Sequence, residues 1–431
     1  MEALAGIVLF ATFIFLMLFG APIAIAIIIS SIVTFLFVMP FDVAILTSAQ
    51  RMITGIDNFT MLAIPLFVLS GIIMSNGGIA FRLVNFAKIL VGKLPGSLAH
   101  TNVVGNMLFG AIAGSSVASA AAMGGIMTPL QTNQGYKKTY SAAVNIASAP
   151  TGLIIPPSSV MIVYSLVSGG TSVAALFMAG YIPGILWGLA VMIVAYFMAK
   201  KENYPVSTMP NVKDILYIIG SAIPSLLLIV IVIGGIVAGV FTATEGAAVA
   251  VLYSAFLSMI YKSIKISDLP RIFKETIEIT GMILFLITAS ALFSLVMSYM
   301  GLPQAISDAL LSITDNQIGI ILIMIFILLL VGTFMDITPA VLIFTPIFLP
   351  VSQTFGMDPI HFGMIICFAL CIGNMTPPVG SALFVGCSVA EVKIEEVIKT
   401  LLPYFAVVIL VLLLVAFVPQ ISLFLPNLFG L

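Results

Sequence analysis

Residues Pro150–Ser159 read P-T-G-L-I-I-P-P-S-S, and residues Gly373–Ser381 read G-N-M-T-P-P-V-G-S. Each holds a Pro-Pro pair inside an apolar run long enough to enter a bilayer. Proline removes a backbone donor and its ring clashes with the preceding turn, so a helix must break at each pair. Lipid satisfies none of the backbone groups freed by such a break, which survives only when buried in protein or lining a wet cavity. Two breaks in corresponding places of two chain halves point to the binding site of a secondary transporter. The rest of the chain reads as scaffold for these two broken helices.

Composition excludes a water-soluble domain. Of 431 residues, 61% are hydrophobic and 7% charged, and the mean hydropathy is +1.28. Soluble domains carry roughly 25% charged residues, so the chain reads as an all-α polytopic membrane protein. The net charge of -1 names no partner, because the positive charges are clustered. Cys367, Cys371 and Cys387 fall in apolar runs without metal or redox spacing and read as core residues. His100 and His361 stand near helix starts, neither with a second His or a Cys at ligand spacing, so no metal cluster is expected. Leu4–Phe19 lacks a basic leader and a small-residue cleavage pattern, and reads as a retained helix.

Spanning a hydrocarbon core of about 30 Å takes roughly 20 helical residues. Runs at about 3–19, 22–39, 60–76, 173–199, 214–239, 243–261, 277–300 and 398–425 meet that length. Two regions rich in small residues, 97–168 and 303–388, do not divide into simple spans. In the first, Leu98–Ala113 leads to Gly114-Ser115-Ser116, and a second apolar run returns to Thr128-Pro129. The arms read as too short to cross and return, which predicts a re-entrant hairpin. The second region repeats this with Ile318–Val331, a tip at Gly332–Asp336 and a return to Thr345-Pro346. Thr128-Pro129 matches Thr345-Pro346 at an offset of 217, Pro156-Pro157 matches Pro377-Pro378 at 221, and Pro183 falls against Pro403 at 220. This is an internal repeat of hairpin, broken helix and following span.

The expected organisation is scaffold helices over 1–76, an interfacial arm helix over 77–96, a first hairpin and broken helix over 97–172, and scaffold helices over 173–261. A second arm follows over 262–276, then a membrane helix over 277–302, a second hairpin and broken helix over 303–390, and a C-terminal helix over 391–431. Ile79–Leu94 and Ile266–Ile277 set Arg and Lys among Leu, Ile and Phe at helical spacing, as interfacial helices do; the alternative is the charged loop end of a span.

Lys and Arg near span ends prefer the cytoplasm. With the first hairpin entering from the inside and the second from the outside, fourteen of the fifteen basic residues, all but Arg51, fall in cytoplasmic segments. The repeats are then inverted, and both termini lie outside.

Carboxylates at membrane depth reduce almost to Asp336, at the second tip beside Gly332, Thr333 and Thr338. An ionisable group there is expensive and functional by default. No span supplies a Lys or Arg partner, which leaves a cation from solution. Sodium, by analogy with harder divalent cations, wants the hydroxyl, carbonyl and carboxylate oxygens that these tips offer. Asp336 is also placed to cap the return helix. Thr242-Ala-Thr-Glu245 reads as a capping box, a structural role for Glu245. Ser115, Ser116, Ser158, Ser159, Asn374, Thr376, Gly380 and Ser381 lie beside freed backbone, although small residues also serve helix packing. Asn106 and Asn145 read equally as interhelical hydrogen-bonding residues. An anionic substrate meets no buried Arg or Lys, so its charge falls to half-helix N-termini at Ser158 and Val379, to hydroxyls and to bound cations.

The pairing of P-T-G-L-I-I-P-P-S with G-N-M-T-P-P-V-G, the G-S-S-V-A-S tip and the run G-T-F-M-D-I-T-P-A resemble the large membrane subunit of tripartite ATP-independent periplasmic (TRAP) transporters, over essentially the whole chain. The resemblance implies a sodium-coupled importer of a carboxylate solute such as sialic acid or a C4-dicarboxylate, in the bacterial inner membrane. It implies an elevator-type fold similar to divalent-anion/sodium symporters, and no cofactor beyond sodium as coupling ion. The implied partners are a small four-helix membrane subunit on a separate polypeptide and a periplasmic binding protein, with no nucleic acid. By match, sodium would lie around Ser115, Ser116, Pro156, Ser158 and Ser159, and around Gly332, Thr333, Asp336, Asn374, Met375, Thr376 and Pro377. Substrate would lie between the tips, against Ser115, Ser116, Pro157, Ser158, Ser159, Thr376, Pro378, Gly380 and Ser381. A stand-alone sodium/dicarboxylate symporter needs nearly the same residues. A channel fits two oppositely opening repeats less well than alternating access does. An intramembrane enzyme needs facing catalytic groups, which a lone Asp336 and two peripheral histidines do not provide.

Overall fold

In a computed structural model the described residues, 2–207, 211–314 and 316–431, fold as helices and connecting turns, with no strand among them. The first half runs through α1 (Glu2–Leu18), α2 (Ile23–Phe35), α3 (Phe41–Thr54), α4 (Ala63–Asn76) and α5 (Ile79–Val91), then α6 (Ser97–Ala113) and α7 (Ser116–Asn133). After these come α8 (Lys138–Ser148), the single turn α9 (Thr151–Ile154), α10 (Ser159–Val167) and the long α11 (Val173–Lys201). The second half runs through α12 (Val212–Val237), α13 (Ala243–Ile260), α14 (Leu269–Tyr299), α15 (Leu302–Ile313), α16 (Gln317–Phe334) and α17 (Ile337–Thr354). It closes with α18 (Pro359–Asn374), α19 (Ser381–Ala390), α20 (Ile394–Phe417) and α21 (Gln420–Phe429). Among the described residues, eight helices are long and apolar enough to cross a membrane.

Both Pro-Pro sites interrupt their helices. The axis bends by 47° between Lys138–Ile154 and Ser159–Val167, and Met375–Gly380 separate α18 from α19. Both Pro-Pro peptide bonds are cis. The elements α6, α7, α8, α10 and α11 recur in order about 220 residues later as α16 to α20, the single turn α9 having no counterpart. Packing crosses between the halves: α7 lies on α19 while α17 lies on α10, and α13 lies on α4 while α14 lies on α2.

Several expected boundaries move. The helix α3 is absent from the expected spans because Asp42, Gln50 and Arg51 lower its hydropathy; only Ala44 and Ser48 are buried, and Arg51 Nε donates to Ala291 O at 3.3 Å. The expected second arm at 262–276 forms no helix of its own: from Leu269 it runs without a break into the expected span as α14, 31 residues opened by Pro270 in its first turn. Arg271 and Lys274 mark the charged end of that rod, and Lys265 precedes it at a short 3-10 turn. A short helix with an apolar face stands instead at α15, inside the region expected to be hairpin; like α5 it follows a glycine in the left-handed region, Gly301 for α15 and Gly78 for α5. Because 302–313 carries no Lys or Arg, the charge pattern does not reveal it. The C-terminal helix expected over 391–431 divides into α20 and α21 at Val418-Pro419, where proline cannot continue the ladder. The hairpin arms outrun their prolines, α7 to Asn133 and α17 to Thr354. The two arms of the second pair have 18 residues each, about 27 Å of helix, so arm length does not by itself make them re-entrant.

Polar side chains knit the first half. Asn106 Nδ2 lies 3.0 Å from Asn102 Oδ1, 3.1 Å from Asn145 Oδ1 and 2.7 Å from Ser148 Oγ, while Ser119 Oγ donates to Asn106 Oδ1 at 2.8 Å. All five residues are buried, so the cluster ties α6, α7 and α8 together. The capping box at Thr242 and Glu245 is formed in both directions, and all three cysteines are buried.

Trp187 on α11 is fully buried, stacks near Phe368, and its Nε1 donates to Ala147 O at 2.8 Å. Ala147 precedes the kink at Pro150, so the indole serves a carbonyl next to the break. Trp187→Phe keeps most of the ring and removes the donor. We expect it to cost about 1–3 kcal/mol, read as a lower melting midpoint in detergent. An unchanged midpoint would show that the indole does not hold the break.

Candidate functional site

Each hairpin tip meets a helix break through backbone too close for side chains. A Cβ on Gly110 would fall 2.2 Å from Gly152 Cα, and one on Gly373 would fall 2.4 Å from Gly332 Cα. These two contacts occupy corresponding places in the two halves. At the first tip, Gly114 turns the chain with φ of 59°, a conformation that favours glycine. Ser159 Oγ donates to Gly114 O at 3.1 Å. At the second, Val379 N donates to Thr333 O at 3.0 Å.

The serines divide by what they touch. Ser115 and Ser158 are N-caps, accepting from Ala118 N at 3.3 Å and Met161 N at 3.4 Å. Ser158 is fully buried and donates to Leu153 O, with Pro156 and Pro157 buried beside it. Ser116 does not turn to the break of its own half. It is 2% exposed and accepts from Asn374 Nδ2 at 3.0 Å, across to the second break.

Asn374 is the hub. Its Oδ1 accepts from Ala382 N at 2.7 Å and lies 2.9 Å from Ser381 Oγ, which is also 3.1 Å from Asp336 Oδ1. A continuous chain of side chains, Ser116–Asn374–Ser381–Asp336, thus runs from the first tip through the second break to the second tip. Ser381 has one hydroxyl hydrogen and two acceptors. Asp336 sits at the N-cap position of α17, yet its carboxylate makes no capping bond and is exposed. Oxygen is dense here: a Cβ on Gly380 would meet the carbonyls of Asn374 and Thr376 at 2.5 and 2.7 Å.

Other predicted residues offer less. The hydroxyls of Thr333 and Thr376 donate back to Leu330 O at 2.7 Å and Ile372 O at 2.6 Å, leaving their lone pairs as acceptors. The Met375 side chain is wholly buried, so only its carbonyl could face a ligand. Pro378 is exposed and Pro377 half-buried.

A cavity of about 140 Å³ opens at the first tip, lined by Gly114, Ser115, Ser159, the α4 residues Phe67, Gly71 and Ser75, and Glu275 of α14. Sequence reasoning passed over Glu275, whose position within a charged run hid it. A larger cavity of about 540 Å³, with Asp358, His361 and Phe417 in its walls, involves none of the predicted residues.

The family profile described as "Tripartite ATP-independent periplasmic transporter, DctM component" matches residues 10–421. The chain is 53% identical to an uncharacterized protein, YgiK, of Salmonella typhimurium, over 98% of each. It is 36% identical to a C4-dicarboxylate TRAP transporter large permease, DctM, of Rhodobacter capsulatus, over 99% of this chain and all of that one. To the sialic acid TRAP transporter large permease SiaM of Vibrio cholerae it is 38% identical, over 89% and 90% of the two chains. In fold it is similar to the crystal structure of the YdaH transporter of Alcanivorax borkumensis, with a TM-score of 0.61 at 14% identity over 86% of each.

The glycine contacts generate a test. Gly373→Ala inserts a methyl group into the Gly332 backbone, and Gly110→Ala does the same against Gly152. Each is expected to destabilise by about 1–3 kcal/mol through forced backbone shifts. Gly125→Ala, where a Cβ meets nothing within 4 Å, is expected to melt no lower than the parent. Equal melting of all three variants would remove the tip-to-break contact from the account.

Proposed function

The chain belongs to the TRAP transporter family as a DctM component, a large permease subunit, and from that premise we propose that it imports a small carboxylate solute across the bacterial inner membrane, driven by a sodium gradient. Its relatives are transporter permeases, not enzymes. Permeases of this kind work with a small membrane subunit and a periplasmic binding protein, and we assign this chain the same two partners. The relatives named for C4-dicarboxylates and sialic acid support an organic acid as its solute.

The observation that carries this reading is the chain Ser116–Asn374–Ser381–Asp336. It holds more acceptors than hydrogens, because Ser381 can serve only one of two oxygens and Asp336 takes no capping donor. A small hard cation corrects such a deficit. Neutral oxygens with a single carboxylate suit a monovalent ion, since divalent sites gather several carboxylates. The corresponding oxygens at the first tip come from Gly114, Ser115, Pro157 and Ser159.

Charge balance supports the coupling. A carboxylate between the tips would face the N-termini of α10 and α19, which attract anions, but also Asp336, which repels them. Bound sodium cancels that repulsion, so solute binding should require it. The polar tips meeting the breaks support hairpins that stop inside the membrane, since lipid could not satisfy those groups. The recurrence of elements and the clustering of basic residues support inverted repeats with both termini periplasmic. An elevator motion would carry tips and breaks past the scaffold, where α4 and the first tip touch through small residues: a Cβ on Gly71 would reach 2.9 Å from Ala113 O.

Reconstituted with its two partners, the protein should accumulate solute only under an inward sodium gradient; uptake indifferent to sodium would reject the coupling. Asp336→Asn should raise half-saturating sodium about threefold to tenfold, roughly 0.7–1.4 kcal/mol, while solute affinity at saturating sodium holds. An unchanged sodium dependence would clear Asp336 of that role.

A further inference from the structure

On the inner portion of α14, Glu275, Ile279 and Ile283 line the cavity at the first tip in one i, i+4 stripe, and Phe67, Gly71 and Ser75 line it from α4 in another. The cavity is therefore a groove between α4 and α14, with Gly114, Ser115 and Ser159 of the first tip and break in its wall. Its walls are otherwise mostly apolar: Val68, Ile72, Ala113 and Ala118 complete them. Its volume of about 140 Å³ holds several waters, enough for a partly hydrated ion.

Glu275 is the one charged side chain in that groove. The ion pairs among the described residues are Lys137–Glu202, Lys138–Glu391 and Lys274–Glu278, and Glu275 takes part in none of them. The nearest cationic neighbours on its helix are engaged elsewhere, Arg271 Nη2 donating to Asn76 Oδ1 at 2.9 Å and Lys274 pairing with Glu278. An unpaired carboxylate at the mouth of an apolar groove concentrates the field along it, because low-dielectric walls focus field lines. Exposed Glu275 and half-buried Ser75 stand at one end of the two stripes, next to the Arg271–Asn76 bond that joins the end of α4 to the basic start of α14, the cytoplasmic side in the orientation proposed above.

We propose that Glu275 is the cytoplasmic portal for the coupling cation: it draws sodium between the first-tip site and the cytoplasm, and repels a carboxylate solute from re-entering the groove. The inference rests on sodium coupling and on that orientation. Glu275 acts through space on an ion in transit, so it is neither a ligand of the first-tip site nor a residue of the second.

The test uses the full complex in proteoliposomes, with sodium as the probe on each side separately. Sodium inside the vesicles should inhibit uptake by occupying the inward-open site. Glu275→Gln is expected to need about fivefold more internal sodium for half-inhibition, the order of one charge acting across several ångströms of partly screened medium. External sodium dependence should stay within twofold of the parent by the same screening, and Glu275→Asp should behave as the parent. Raising internal ionic strength with a choline salt should narrow the gap between parent and Glu275→Gln. Internal half-inhibition unchanged in Glu275→Gln overturns the proposal, as does an equal weakening on both faces that choline does not narrow, which would mark a structural residue. Parent uptake that ignores sodium on both faces would refute the coupling itself and the portal with it.

Discussion

An amide or carbonyl group left unpaired in hydrocarbon costs several kcal/mol, and the whole arrangement answers that penalty at two places. Proline pairs at Pro156-Pro157 and Pro377-Pro378 strip the ladder from α8–α10 and α18–α19. Each break is covered by a hairpin tip so close that a Cβ on Gly110, Gly152 or Gly373 would run into the facing backbone, with Gly110 against Gly152 and Gly373 against Gly332. Some freed groups find partners across this contact, Val379 N at Thr333 O and Gly114 O at Ser159 Oγ. Beside the second contact the side chains of Ser116, Asn374, Ser381 and Asp336 gather into one polar chain.

The two halves solve the same geometric problem with different chemistry. The first half fills the space between α6, α7 and α8 with Asn102, Asn106, Ser119, Asn145 and Ser148. Places about 221 residues on hold Ile323, Ile327, Ala340, Ile366 and Ala369. Buried hydrogen bonds between membrane helices stiffen and orient them, so the first hairpin is tied to its broken helix by polar bonds and the second by apolar packing. The second half instead carries the carboxylate, Asp336, where the first has Ser115 as N-cap. Asn374 then joins the unlike halves, one end of its amide on Ser116 and the other on Ala382 and Ser381.

Membership in the DctM family and the polar chain bear on function in different ways. The family says what the subunit belongs to. A cation is proposed at the chain of side chains, whose acceptors outnumber its hydrogens and to which no lysine or arginine contributes. On the proposed reading, solute and cation correct each other's charge in one place, which binds their movements together without any covalent step.

The two breaks, the all-helical membrane class, the hairpin tips and the family were legible in the sequence because each rests on local chemistry: proline in an apolar run, glycine and serine at a turn, a motif of adjacent residues. The capping box at Thr242 and the burial of the cysteines were legible for the same reason. Charge pattern misled where it stood in for geometry: the basic run at 262–276 passes from Leu269 into the continuous α14, and 302–313, without Lys or Arg, is a separate helix. Only the tertiary structure turned Ser116 toward Asn374 rather than toward its own break, freed Asp336 from capping, and set Glu275 in a groove with Ser115 and Ser159. Those outcomes join residues about 40 to 260 positions apart, and hydropathy and spacing along a chain carry no information about which side chains meet when helices from different halves pack together.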